Sequence, residues 1–168
     1  MRRRWRIAIA VGIAVLAAFP ALALYGRERA WEHVAPADLG PVEFATLQRS
    51  GDPNDALAAT PGALPRGLEA ELSFPHFDAP PERVIAAVEA RVALLDADAV
   101  LVASDGTTRR YVTRSRWMRF PDTTVIEAVP TDGGTALRAY ARASVGKSDF
   151  GANRARLERW LGGLEVDE

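Results

Sequence analysis

A chain of 168 residues with a net charge of -1 has room for one core-forming domain beside its apolar N-terminal stretch, and not for two. An apolar share of 48%, a charged share of 26% and a mean hydropathy of -0.06 exclude a disordered chain and a polytopic membrane protein. The absence of cysteine excludes disulfides, thiolate nucleophiles and cysteine-ligated metals, and His33 and His76 stand too far apart in sequence for a zinc motif, so no metal or cofactor is expected.

The N-terminus comes first. Arg2, Arg3, Arg4 and Arg6 precede residues 7–25, which carry no charge. Nineteen residues at about 1.5 Å rise span roughly 28 Å, enough for a bilayer core. By the positive-inside rule the arginines stay cytoplasmic and the rest is exported. The competing reading is a cleaved signal peptide with an apolar region at 7–19 and the small-x-small site Ala21-Leu22-Ala23. Continuation of the apolar run through Leu24 and Tyr25 favours a retained anchor. The expected organisation is a cytoplasmic basic end at 1–6, a transmembrane anchor (or signal peptide) at 7–25, a Pro/Gly-rich tether at 26–67 and an extracytoplasmic α+β domain at 68–168. The expected address is the cell membrane, single-pass, with a periplasmic domain.

Beyond the tether, Leu68, Ala70, Leu72 and Phe74 alternate with polar residues and predict a half-buried strand. Asp78 to Glu82 read as a helix start, with prolines in the first turn, and the stripe Val84, Val88, Val92 and Leu95 carries that helix to about residue 95. Strands are expected at 100–103, 109–120, 124–129 and 135–145. Turns are expected at Ser104-Asp105-Gly106, Pro121-Asp122 and Asp132-Gly133-Gly134, short enough to make the strands an antiparallel meander. A last helix at 150–164 places Leu157, Trp160, Leu161 and Leu164 on one face. The predicted order is strand, helix, four-stranded antiparallel meander, helix.

Charge is unevenly distributed: residues 30–105 hold four arginines against thirteen acids, and residues 106–159 hold ten arginines and a lysine against five acids. Either the two blocks attract each other in the fold or the basic block presents an anion-binding face. On the last strand Arg138, Tyr140, Arg142 and Ser144 share one face that runs toward Lys147. The following segment, Lys147, Ser148, Asp149, Asn153 and Arg154, joins strand to helix. It reads structurally as a turn with a Ser148 or Asp149 cap, and functionally as an anion site at a helix start. The arginines of the face read equally as a solvated surface paired with Glu127 and the acidic block. The spacing of a phosphate loop is missing. Nucleic acid is not an expected partner for an exported surface with so weak a pattern. Ser144, Asp149 and His76 form the alternative, a hydrolytic set, but no nucleophile-elbow motif accompanies them. Asp96 and Asp98 lack the further oxygen ligands of a calcium loop.

The run Ser144 to Arg154, followed by Arg156 and Trp160-Leu161, resembles the C-terminal signature of the family known as domain of unknown function 1499. Pro53-Asn54-Asp55-Ala56-Leu57 and Phe120-Pro121-Asp122 are similar to its other landmarks. The resemblance spans about residues 38–164. It implies an uncharacterised bacterial envelope protein and no reaction. It also implies a cysteine, common in relatives, soon after the proline-asparagine element, where this chain has Ala58, Ala59 and Thr60. The expected function is a non-catalytic binding or assembly module, with membrane lipid, an envelope protein or an anionic small molecule as partner. The alternative is a small envelope hydrolase near Ser144 and Asp149.

Overall fold

The computed structural model describes Pro20, Ala23, Gly26 and residues 28–166. The expected membrane segment, 7–25, lies outside the described residues apart from Pro20 and Ala23. Among the described residues no helix is long and apolar enough to cross a membrane.

The domain is α+β, built on six strands: β1 (Asp55–Ala59), β2 (Leu72–Ser73), β3 (Val100–Asp105), β4 (Thr108–Arg114), β5 (Pro121–Thr131) and β6 (Gly134–Ala143). Their order across the sheet is β2-β1-β6-β5-β4-β3. The meander is β3 to β6, antiparallel throughout, as the short turns require. β1 adds antiparallel to the open edge of β6, and β2 lies parallel to β1.

Helix α1 (Pro81–Leu95) begins with proline and Glu82 in its first turn, where a missing N–H costs nothing and an acid meets the positive end of the helix dipole. Helix α2 (Ala152–Leu161) follows Gly151, whose φ of +80° turns the chain into it. Both helices cover one face of the sheet. Val84, Val88 and Val92 of α1 and Leu157, Trp160 and Leu161 of α2 pack in one cluster with Ala56, Ala58, Ile126, Leu137, Ala139 and Ala141. The α2 stripe is buried as its spacing predicts, with Trp160 wholly enclosed and Tyr111 edge-on to it at 5.4 Å.

The other face is also covered. Phe44, in a short 3-10 turn at Phe44–Thr46, is fully buried with Leu57, Val125 and Tyr140, and Val42, Leu47, Leu64 and Leu68 close over them. The stretch 26–67, expected as a tether with short pieces such as 42–47 docking on the domain, does dock there, and beyond that expectation it supplies strand β1 and a layer over the outer face. Its proline and glycine content breaks periodicity without preventing burial.

Several boundaries differ from expectation: the last helix spans Ala152–Leu161 and not 150–164, and Ser104-Asp105, expected in a turn, end β3. The alternating run 68–74 yields only the two residues of β2, because Leu68 joins the outer core while Phe74 joins the helix-side core as the chain rounds the sheet edge. The strand expected at 109–120 stops at Arg114; residues 115–120 form a loop closed by Ser115 N–H to Phe120 C=O at 2.9 Å. Pro121-Asp122, expected as a turn, opens β5 opposite Arg114 and Thr113.

Candidate functional site

The strand face carrying Arg138, Tyr140 and Arg142 is occupied from within. Arg138 donates to both oxygens of Glu127 at 2.9 Å and lies 4.6 Å over the Phe44 ring. Arg142 donates to the carbonyls of Leu39 at 2.8 Å and Gly40 at 3.2 Å. Tyr140 is buried and donates its hydroxyl to Asp55 at 2.5 Å. Burial, reinforced by the Asp55 carboxylate, pushes that phenol well above its usual range. Asp55 also receives Arg49, which reaches Glu71 at 2.5 Å. This buried acid, tyrosine and arginine set was not singled out from the sequence, since Arg49 and Asp55 sit in the stretch read as tether.

The charge blocks do attract each other. Arg110 meets Asp38 at 2.9 Å and Arg109 meets Glu89 at 2.7 Å, while Arg119 meets Glu28, just ahead of the acidic block, at 2.6 Å. A shallow cavity of about 260 Å³ on the outer face is lined by Arg110 and Arg138 but equally by Glu43, Asp105 and Glu127.

The strand-to-helix junction is where the recognised sequence landmarks converge. Asn54 donates its side-chain amide to the Gly146 carbonyl at 2.7 Å, and the Asp149 N–H donates to Pro53 at 3.2 Å. Asn153, fully buried, donates to the Asn54 carbonyl at 3.2 Å. Arg156 donates to Asn153 and, at 2.8 Å, to Asp122, both partners of that ion pair being buried. Burial raises the Asp122 carboxyl above its usual range, with Arg156 opposing the shift. The signature is thus a structural knot that ties β1, β5, β6 and α2 together.

Of the remaining site residues, Asp149 accepts the N–H groups of Gly151 at 2.9 Å and Asn153 at 2.8 Å, so its carboxylate fills the anion position at the start of α2. Ser148 accepts the Phe150 N–H at 3.2 Å. Lys147 and Arg154 are exposed and have no partner among the described residues. Arg154 borders a cavity of about 560 Å³ shared with Arg49, Asp52, Asp55, Glu71 and Asp149. On the other side of the junction a cavity of about 340 Å³ is lined mainly by apolar groups, among them Phe120, Val145 and Phe150.

Ser144, Asp149 and His76 are not brought together. Ser144 follows the last residue of β6, whereas His76 contacts Thr131, opposite the first residue of β6. A ten-residue strand separates them by roughly 30 Å. Asp96 accepts from Arg159 at 2.8 Å.

The junction shares its end of the molecule with the 115–120 loop, which was expected to continue a strand. Trp117 is 73% exposed, Met118 45% and Phe150 98%. The run Ser115-Arg116-Trp117-Met118-Arg119, with its bulky apolar pair between arginines, is the signal that distinguishes this segment from the alternating strand before it.

Residues 41–164 match the model of a family described as a protein of unknown function, DUF1499. No curated protein matches the chain. Among solved structures, the crystal structure of TTHA0849 from Thermus thermophilus is similar over 64% of this chain and 85% of that one, at 14% identity and a TM-score of 0.28.

Proposed function

Because the chain belongs to DUF1499, a family of proteins of unknown function, its role has to be read from its own site, and we propose a membrane-anchored, non-catalytic envelope module that binds an anionic group. The observation that carries this is the contrast at the junction. Lys147 and Arg154 are exposed without a partner among the described residues, while Arg138 and Arg142 are consumed by the fold. The binding surface therefore centres on Lys147, Ser148 and Arg154. Tyr140, Asp149 and Asn153 hold its backbone and neighbours in place. A guanidinium fork and an ammonium group each suit a phosphate or carboxylate, whether of a lipid headgroup or a small molecule. Exposed contacts of this kind are salt-sensitive. The hydrolase alternative loses His76, which lies a strand length from Ser144, and is not carried further.

The anchor and orientation rest on the uncharged run 7–25 and its flanking arginines. A reporter active only after export, fused behind Glu168, is expected to be active, and the mature mass is expected to equal the full-length mass. A mass lacking residues 1–23 turns the anchor into a signal peptide. The binding site is tested by thermal shift of the full chain in neutral detergent with inorganic phosphate and with a short-chain anionic phospholipid. A saturable shift is expected, lost in Lys147→Glu with Arg154→Glu and kept in the exposed control Arg66→Glu. No shift, or one indifferent to the double substitution, overturns the site. Response to both probes assigns a generic anion site, and response to the lipid alone assigns a headgroup site.

A further inference from the structure

The end of the molecule formed by the 115–120 loop and Phe150 is apolar and largely exposed. Trp117, Met118 and Phe150 turn outward. At its margin Val100, 58% exposed, pairs with Val112 next to the end of β4, and Val34, 65% exposed, follows the helical residues 28–32. Phe150 has a φ of +55° and Arg119 a φ of +58°, a region that bulky side chains rarely adopt. Strained backbone that holds an aromatic ring in solvent is a feature to be accounted for by what the ring meets.

The chain itself says what lies beside this end. Trp31 packs against Phe120 with ring centroids 4.6 Å apart and planes tilted by 48°, and donates its indole N–H to the Met118 carbonyl at 2.6 Å, and Glu28 meets Arg119 at 2.6 Å. Residues 28–31 are therefore fastened to the loop. Tyr25, the last residue of the uncharged run, is three residues from Glu28, so chain reach alone keeps it within about 10 Å of that residue. Wherever the run 7–25 enters a bilayer, the 115–120 loop stands at the bilayer surface.

The composition fits that position. Tryptophan and phenylalanine favour the boundary between headgroups and hydrocarbon, and arginine and lysine beside them reach phosphates. Arg116 is exposed and sits 5.5 Å from the Trp117 ring, and the exposed Lys147 is flanked in sequence by Gly146 and Ser148, which line the apolar cavity. Arg114 and Arg119, by contrast, face Glu32 and Glu28, so apolar insertion and not net charge dominates the contact.

We propose that Trp117, Met118 and Phe150 form a bilayer-interface surface, by which the domain sits directly on the membrane that holds its own N-terminal segment. This inference rests on the anchored reading above and names the partner at that end as a lipid surface. It places Lys147, whose neighbours Gly146 and Ser148 line the apolar cavity, at headgroup level.

The chain has no cysteine, so single cysteines report position without background. The full chain carrying Met118→Cys, Phe150→Cys or, at the far hairpin, Asp132→Cys is labelled with an environment-sensitive fluorophore and reconstituted in vesicles of zwitterionic lipid, with and without anionic lipid. Labels at 118 and 150 are expected to shift to the blue, to resist aqueous iodide several-fold better than the label at 132, and to be quenched by shallow lipid-borne quenchers. The shielding should persist without anionic lipid. A chain stripped from vesicles by alkaline carbonate overturns both the anchor and the docking. A retained chain whose labels at 118 and 150 are as open to iodide as that at 132 overturns the docking alone. Shielding that rises with protein density and lacks lipid quenching assigns the surface to a second copy and also overturns it.

Discussion

Arg156 and Asp122 meet where α2 crosses the start of β5, and both are nearly without solvent. A buried pair of this kind adds little over a well-packed apolar pair, but removing one partner strands the other charge. Arg156→Ala is therefore expected to cost about 3–5 kcal/mol in urea unfolding. The simultaneous change to leucine and methionine should recover most of it. Tyr111 presents the opposite case, since its buried hydroxyl has no partner among the described residues. Tyr111→Phe is expected to be neutral or to stabilise by about 1–3 kcal/mol. Burial, aided by Glu89, pushes the Tyr111 phenol up to about 12. In the unfolded chain it titrates near 10. The folded state thus keeps a proton that the unfolded state loses, so the contribution is whole below about pH 10 and is lost as pH rises toward 12. Tyr140 is displaced in the same direction. Stability should fall across that alkaline window, less steeply in Tyr111→Phe, as measured by denaturation at fixed pH steps.

Among the elements, α2 is the one whose amphipathic spacing translated most directly into packing. Leu157, Trp160 and Leu161 are fully buried and Leu164 nearly so, although the helix itself ends at Leu161. Trp160→Ala should cost about 3–5 kcal/mol by thermal or chemical unfolding, because the wall of Tyr111 and α1 cannot collapse into the space. An unchanged midpoint would remove the helix from the core. The long expected strand 109–120 failed for a different reason. Its second half breaks the alternation with the adjacent pair Trp117-Met118, and the loop fixed by Ser115 and Arg119 turns those side chains outward.

At the scale of the whole molecule, the question is what holds the segment before β1 against the sheet. Ion pairs between residues 28–38 and the basic block are mostly part-exposed, each contributing about 0–1 kcal/mol. Phe44 is fully buried. Phe44→Ala is expected to cost about 3–5 kcal/mol and to open residues 38–50 to limited proteolysis. Glu28→Gln or Asp38→Asn should cost no more than about 1 kcal/mol. Equal effects from the two kinds of substitution would mean that electrostatics and not burial fastens the layer.

Local order in the sequence determined what depends on neighbours along the chain. The helix at 81–95, the presence of tight turns near Gly106 and Gly133, the antiparallel meander and the apolar face of α2 all follow from periodicity and turn chemistry over a few residues. The family was legible because its landmarks are short contiguous runs. Tertiary structure alone decided the rest. Whether Arg138 and Arg142 were open depended on residues 39–44, about a hundred positions away, folding over them. That Asn54, Asp122 and Asn153 form one knot, and that Trp31, Met118 and Phe120 gather at one end with Phe150 close by, likewise follows from strand register and from a connection that rounds the sheet. Alternation names the face on which a side chain lies, but only the path of the distant chain decides whether that face meets water.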